Sequence, residues 1–197
     1  MLITEKEILK KYSLSKSLWI GIPSIEITKG GRSFITFYTG GTKEEIGNYV
    51  LLLKSDDEKN FGEPIAVCHE EGHRCFDPCL WIDPLGRLWL TWSRYPHDGV
   101  FAAICDDPDA DEIKFGEEFF IAHNIMMNKP TVLSGGEWIF PVAVWNRGVC
   151  VLPIEDDIPD EERGSFAYVT YDFGRTFKKL GKADVKNAHL MSICFLS

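Results

Sequence analysis

The 197-residue chain has no long apolar run and no surplus of positive charge. No stretch approaches the roughly 18 apolar residues that a membrane-spanning helix requires. Lysine and arginine total 21 against 30 aspartates and glutamates, a formal net charge of −9 at pH 7. A nucleic-acid partner is therefore not expected, because phosphate binding needs a basic face, and an anionic membrane surface is disfavoured for the same reason. Residues Met1 to Ser17 contain no apolar segment of signal-peptide length and no small-residue cleavage pattern. The expected location is the cytoplasm, where the six cysteines would stay reduced. A phosphate-cradling glycine loop, a zinc-protease helix and a nucleophile elbow are all lacking. There is also no Cys-x-x-Cys pair. Cys68-His69, His73, Cys75 and Cys79 do crowd into one short stretch, so a zinc reading stands beside one of small buried thiols. No metal or other cofactor is expected.

The chain is rich in aromatics. Six tryptophans and thirteen phenylalanines sit mainly in short alternating runs, which favour strands over helices. Three segments share one plan. Ile22-Pro23-Ser24-Ile25-Glu26-Ile27 passes through Lys29-Gly30-Gly31-Arg32 into Ser33-Phe34-Ile35-Thr36-Phe37-Tyr38. Asp77-Pro78-Cys79-Leu80-Trp81-Ile82 turns at Pro84-Leu85-Gly86-Arg87 into Leu88-Trp89-Leu90-Thr91-Trp92. Lys129-Pro130-Thr131-Val132-Leu133 turns at Ser134-Gly135-Gly136 into Glu137-Trp138-Ile139-Phe140. The prolines at 23, 78 and 130 are spaced by 55 and 52 residues. A proline is tolerated at the first residue of a strand, and a glycine turn between alternating runs reads as a hairpin. Third strands are expected at 48–54, 99–105 and 165–170, and fourth strands at 63–68, 118–122 and 176–180.

Four strands recurring at roughly fifty residues fit a β-propeller blade better than the 8–12-residue strand spacing of a sandwich. A generic antiparallel all-β domain is the competing fold. The expected organisation is an N-terminal segment at 1–18, three blades at about 19–70, 71–124 and 125–187, and an atypical tail at 188–197. A short helix is expected over 4–11, with Thr4 as N-cap and Glu7 three residues on. Residues 153–163 read as an acidic, solvated loop.

One turn carries a specific signature. Thr170-Tyr171-Asp172-Phe173-Gly174-Arg175-Thr176-Phe177 follows a third strand, and Ser55-Asp56-Asp57-Glu58-Lys59-Asn60-Phe61 is a shortened copy without the glycine. An aspartate in such a hairpin accepts turn amides, a glycine supplies positive φ, and the aromatic packs between strands. The segment resembles the Asp-box, or bacterial neuraminidase repeat, of the sialidase-like superfamily. The resemblance runs to about residue 182. It implies an all-β propeller of which about three four-stranded blades are present, half of a six-bladed ring. It gives Asp57, Asp172, Gly174 and Phe177 structural roles.

The resemblance also implies a central glycan pocket, lined by residues just before each blade's innermost strand. In that family an arginine triad grips a carboxylate, an aspartate serves as acid/base, and a Tyr–Glu pair supplies the nucleophile. The first arginine's place is taken here by Gly21, and the second, expected near Thr39 or Gly40, is absent. Glu45 stands at the acid/base position with Glu44 beside it, although two exposed loop glutamates would look the same. Glu45 and Asp77 are the candidate catalytic carboxylates. Arg74, Asn128 and Lys129 precede inner strands, Trp19 offers a stacking face, and Arg94 and Arg147 follow second strands. These six form the candidate substrate-binding set, while a plain Arg74–Asp77 tie between blades is the structural alternative. The implied function is a carbohydrate-active propeller, an exo-acting glycoside hydrolase or a fragment of one, whose partner is a glycan or small carbohydrate. The missing arginines favour a less acidic sugar. A non-catalytic glycan-binding propeller and an inactive truncated fragment are the alternatives, and self-association could close the ring.

Overall fold

The computed structural model of the chain describes residues 1–96, 99–123, 125–144 and 158–183. They form three antiparallel sheets, none of which closes on itself. The first contains β1 (Leu2–Ile3), β2 (Ser24–Ile27), β3 (Ser33–Thr39), β4 (Tyr49–Ser55) and β5 (Ala66–Cys68) in the order β1-β5-β4-β3-β2. The second runs β6 (Arg74–Ile82), β7 (Leu88–Tyr95), β8 (Gly99–Cys105), β9 (Phe119–His123). The third runs β10 (Thr131–Val132), β11 (Trp138–Val144), β12 (Gly164–Thr170), β13 (Lys178–Lys182). β2 to β5 and the whole of sheets two and three run as meanders, because short turns can join only antiparallel neighbours, and β1 adds beside β5 at the edge of sheet one.

Burial follows the stacking. The second sheet lies between the other two, so both of its faces are covered and Leu88 to Ser93 of β7 is buried without interruption. On the first sheet, β2 alternates between half-buried and exposed residues. One apolar cluster joins sheets one and two through Phe34, Tyr38, Leu52, Phe76, Leu80 and Trp92. A second joins sheets two and three through Trp81, Trp89, Ala102, Trp138 and Phe140. Rings in that cluster meet edge-on, with Trp81 and Trp138 centroids 5.0 Å apart. Each such side chain contributes on the order of 1.5–3 kcal/mol by leaving water. Among the described residues no helix is long and apolar enough to cross a membrane.

Two sequence expectations need correction. Helix α1 spans only Lys6–Leu9 and its N-cap is Glu5, not Thr4. The Glu5 carbonyl accepts the Ile8 and Leu9 amides, while the Thr4 amide itself donates to the Glu5 carboxylate. Thr4 thus lies one residue outside the helix. Pro23 and Pro130 do precede strands, but Pro78 falls inside β6, which begins at Arg74. The β6–β7 register slips between Phe76 and Cys79. A bulge there leaves residues out of the ladder, so the missing proline N–H breaks no pairing.

Candidate functional site

The bulge shapes the site. Asp77, immediately before Pro78, has φ +46°, a left-handed conformation that aspartate and asparagine tolerate better than most side chains. This turns its carboxyl into the junction between sheets one and two, where only 3% of the residue is exposed. Among the described residues no group donates a hydrogen bond to it. Burial pushes its pKa up to about 7; Arg74 opposes that rise and Glu44 adds to it. A carboxyl in this state is about half protonated at neutral pH, where an ordinary aspartate would be fully ionised.

Around Asp77 the chain assembles Trp19, Tyr38, Glu44, Arg74 and Phe76. Arg74, 5% exposed, places a terminal guanidinium nitrogen 3.2 Å from Glu44 Oε2. Its guanidinium carbon lies 4.0 Å from the Phe76 ring centre and 5.6 Å from that of Tyr38. The Tyr38 hydroxyl donates to Glu44 Oε1. Burial, and then that hydrogen bond, hold the Tyr38 phenol well above its ordinary range. Trp19 meets Tyr38 edge-on at 5.2 Å. Tyr38 also explains Gly21: a Cβ there would lie 2.2 Å from the tyrosine ring. The space beside Gly21 is filled by a phenol.

The loop at 40–48 decides which glutamate enters. Gly40, Gly41 and Gly47 all have positive φ, and Asn48 closes the loop by accepting the Glu45 amide and donating to the Gly40 carbonyl. That geometry sends Glu44 to Arg74 and Tyr38, and lays the Glu45 carboxylate against Gly41. Sequence reasoning ranked Glu45 first and did not single out Tyr38. Direction is set by a glycine-rich loop without regular periodicity, so neither point was legible.

The other candidates lie elsewhere. Lys129 bonds the Ile25 carbonyl at 3.0 Å and Glu26 Oε1 at 2.5 Å, joining the lead-in of sheet three to sheet one. Asn128 beside it is half-buried. Arg94 faces Glu70 at 3.4 Å and Glu118 at 3.7 Å, over the Phe101 ring. Arg147 lies outside the described residues, as does the 188–197 tail. Among the described residues no three His, Cys, Asp or Glu side chains gather as a metal-binding group. Cys68, Cys75 and Cys79 are buried free thiols; burial pushes the Cys75 thiol up to about 12 and that of Cys79 up to about 11.

The two aspartate turns are built alike. Asp172 Oδ1 accepts the Thr170 hydroxyl at 2.8 Å and the Thr176 amide at 2.9 Å, and Oδ2 accepts the Thr176 hydroxyl at 2.6 Å. Asp57 Oδ1 accepts the Ser55 hydroxyl and the Asn60 amide, each at 2.8 Å. Bonds from these turns depress both carboxyls, that of Asp172 to about 2. Gly174 and Phe177 reach sheet two, Gly174 against Trp89 and Phe177 stacked on Phe119 at 6.3 Å.

The stacked meanders define an all-β, propeller-like fold. No known family profile and no curated protein matches the chain. Among solved structures it is similar to a protein of unknown function from Dyadobacter fermentans, with 16% identity over 83% of this chain and a TM-score of 0.60. It is also similar to a Hadza microbial sialidase, Hz136, with 11% identity over 86% of this chain and a TM-score of 0.61. The chain spans 54% of the length of the first and 38% of the second.

Proposed function

We propose that the chain is part of a carbohydrate-active propeller in which Asp77 acts as a general acid on a glycan. In this reading residues 19–70, 71–124 and 125–187 are three blades of a larger ring, and the Asp77 cluster faces its central pocket. One observation carries the proposal: a buried carboxyl with a pKa raised to about 7, set in left-handed backbone beside an arginine, a glutamate and a tyrosine. A general acid works best when its pKa lies near the working pH. Glycoside hydrolysis needs one carboxyl that holds its proton for the leaving oxygen and a second that remains charged. Asp77 suits the first role. Glu44, held by Arg74 and Tyr38, suits the second better than Glu45 does. Arg74 positions Glu44, and Trp19 offers an aromatic face to a sugar ring. The likeness to the sialidase supports glycan as the ligand class, while Gly21 and the Tyr38 ring beside it favour a neutral sugar.

The test is hydrolysis and binding of a panel of neutral and acidic glycosides. Asp77→Asn is expected to lower turnover by roughly 10²–10⁴-fold while binding persists. Glu44→Gln should also impair turnover, and Glu45→Gln should leave it near the parent rate. Equal rates in Asp77→Asn and the parent would remove Asp77 from the chemistry. Saturable binding without turnover, weakened by Arg74→Ala, would instead make this a glycan-binding module.

A further inference from the structure

Arg74 holds a hydrogen-bond donor that the fold does not use. A terminal nitrogen of its guanidinium reaches Glu44 Oε2 at 3.2 Å, and the Phe76 and Tyr38 rings lie beside its charge. Aromatic faces attract a cation but supply no lone pair. The Nε–H, shut off from solvent, finds no acceptor among the described residues. The other buried side-chain atoms in that condition are serine hydroxyls and the Trp92 indole nitrogen, so Arg74 is the charged group among them. Leaving a buried donor unbonded costs on the order of 1–3 kcal/mol. Such a group in a folded protein marks a functional position or an ordered solvent site.

An acceptor in the same condition stands on the same strand. The Asp77 carboxyl is 3% exposed and receives no hydrogen bond from the described residues. Arg74 acts on Asp77 through space, yet no ion pair joins them, so the plain tie that the sequence allowed is not made. A buried donor and a buried acceptor therefore share one cluster without bonding each other.

Together they select a ligand chemistry. The Arg74 charge is already balanced by Glu44, and an ionised carboxylate placed here would face both Glu44 and Asp77. A neutral hydroxyl meets no such repulsion. It can accept from Nε–H and donate to a carboxyl oxygen at once, which a carboxylate cannot do. We propose that Arg74 is a specificity-determining residue whose Nε–H reads one hydroxyl of a neutral sugar, that hydroxyl donating in turn to Asp77. The inference rests on the glycan reading and deepens it: Arg74 holds Glu44 through a terminal nitrogen and selects the ligand through Nε. A site built to bond a hydroxyl strongly rejects the analogue that lacks it, because the protein's own polar groups are then left unpaired.

Titration of the full chain with methyl glucoside, galactoside and mannoside, and with the monodeoxy analogues of whichever binds, tests it. Removing the hydroxyl that Arg74 reads should weaken binding roughly 10–100-fold, and removing any other should matter far less. Arg74→Lys keeps a cation for Glu44 but lacks the Nε–H. It should bind the complete sugar and that deoxy analogue alike, whereas a residue that only positioned Glu44 would leave the preference intact. Nitrogen–proton NMR of the Arg74 side chain gives a readout in the unaltered protein, and decides the matter if Arg74→Lys does not fold. The complete glycoside at saturation should shift the Nε–H resonance, and the critical deoxy analogue should not. A preference that survives Arg74→Lys, or a resonance unmoved by bound glycoside, overturns the inference and leaves the glycan reading standing. Binding of acidic glycosides alone also overturns it. Failure of every glycoside, neutral or acidic, to bind removes the glycan reading with it.

Discussion

At pH 8, Asp77→Asn melts roughly 8–16 °C above the parent, since a domain of this size moves about 2–4 °C per kcal/mol. The energy comes from a buried carboxyl with a pKa of about 7 against roughly 3.9 in the unfolded chain, about 1.36 kcal/mol per unit and so on the order of 4 kcal/mol. The folded state holds this proton more tightly than the unfolded state does. As pH rises from about 4 to about 7 the unfolded chain releases the proton first, so the parent loses stability across that window and levels off above it. The asparagine variant lacks this decline, and the two melting curves should coincide near pH 4 and diverge towards neutrality. Asparagine also retains the left-handed backbone at φ +46°, which alanine would strain. Thermal melts between pH 4 and 8 provide the check. Parallel curves for the two proteins would show that Asp77 ionises normally, and would remove the ground for its acid role. A residue that weakens the fold at working pH is the kind of compromise expected of a functional group.

Gly174→Ala should produce the largest loss. Gly174 has φ +88°, and a Cβ there would lie 2.2 Å and 2.5 Å from two Trp89 ring carbons. Trp89 cannot yield easily. It is fully buried, its indole N–H donates to Asp83 at 2.8 Å, and Trp138, Phe119 and Phe140 surround it. Left-handed strain of roughly 1–2 kcal/mol adds to overpacking of about 1–3 kcal/mol. The melting temperature should fall by roughly 4–20 °C. Gly136→Ala is the control, because φ is +95° there but nothing lies within 4 Å of the added methyl. It should show the backbone strain alone. Equal losses in the two variants would mean that the turn at Asp172 does not press on Trp89.

Much of the strand pattern was legible because hairpins announce themselves locally. Lys29-Gly30-Gly31-Arg32 and Pro84-Leu85-Gly86-Arg87 each sit between alternating runs, and both turns join the expected strands. The expected third strand at 99–105 coincides with β8. Less of the site could be read. Asp77, Arg74 and Trp19 were selected from their place before inner strands, and the structure gathers them. The choice between Glu44 and Glu45 depends on three positive-φ glycines and the Asn48 side chain, which no periodicity encodes. Tyr38 read only as one more aromatic of a second strand. Its role follows from where sheet two packs, and that contact is far away in the chain. The packing of residues 1–17 on sheet one escaped for a similar reason: Leu9, Tyr12 and Leu14 are too few to announce a face, and their partners, among them Phe37, Tyr49, Leu51 and Val67, lie far on in β3, β4 and β5.

Lys129 has a consequence that reaches beyond its own contacts. Sheet two packs between sheets one and three, yet the Lys129 ammonium, from the lead-in of sheet three, grips the Ile25 carbonyl and Glu26 of sheet one. A row of plates touching only in sequence can shed its outermost plate and leave the remainder intact. With the first and last also tied by a chord, losing either end breaks a contact at the other. Melting of the three sheets is thereby drawn towards a single event.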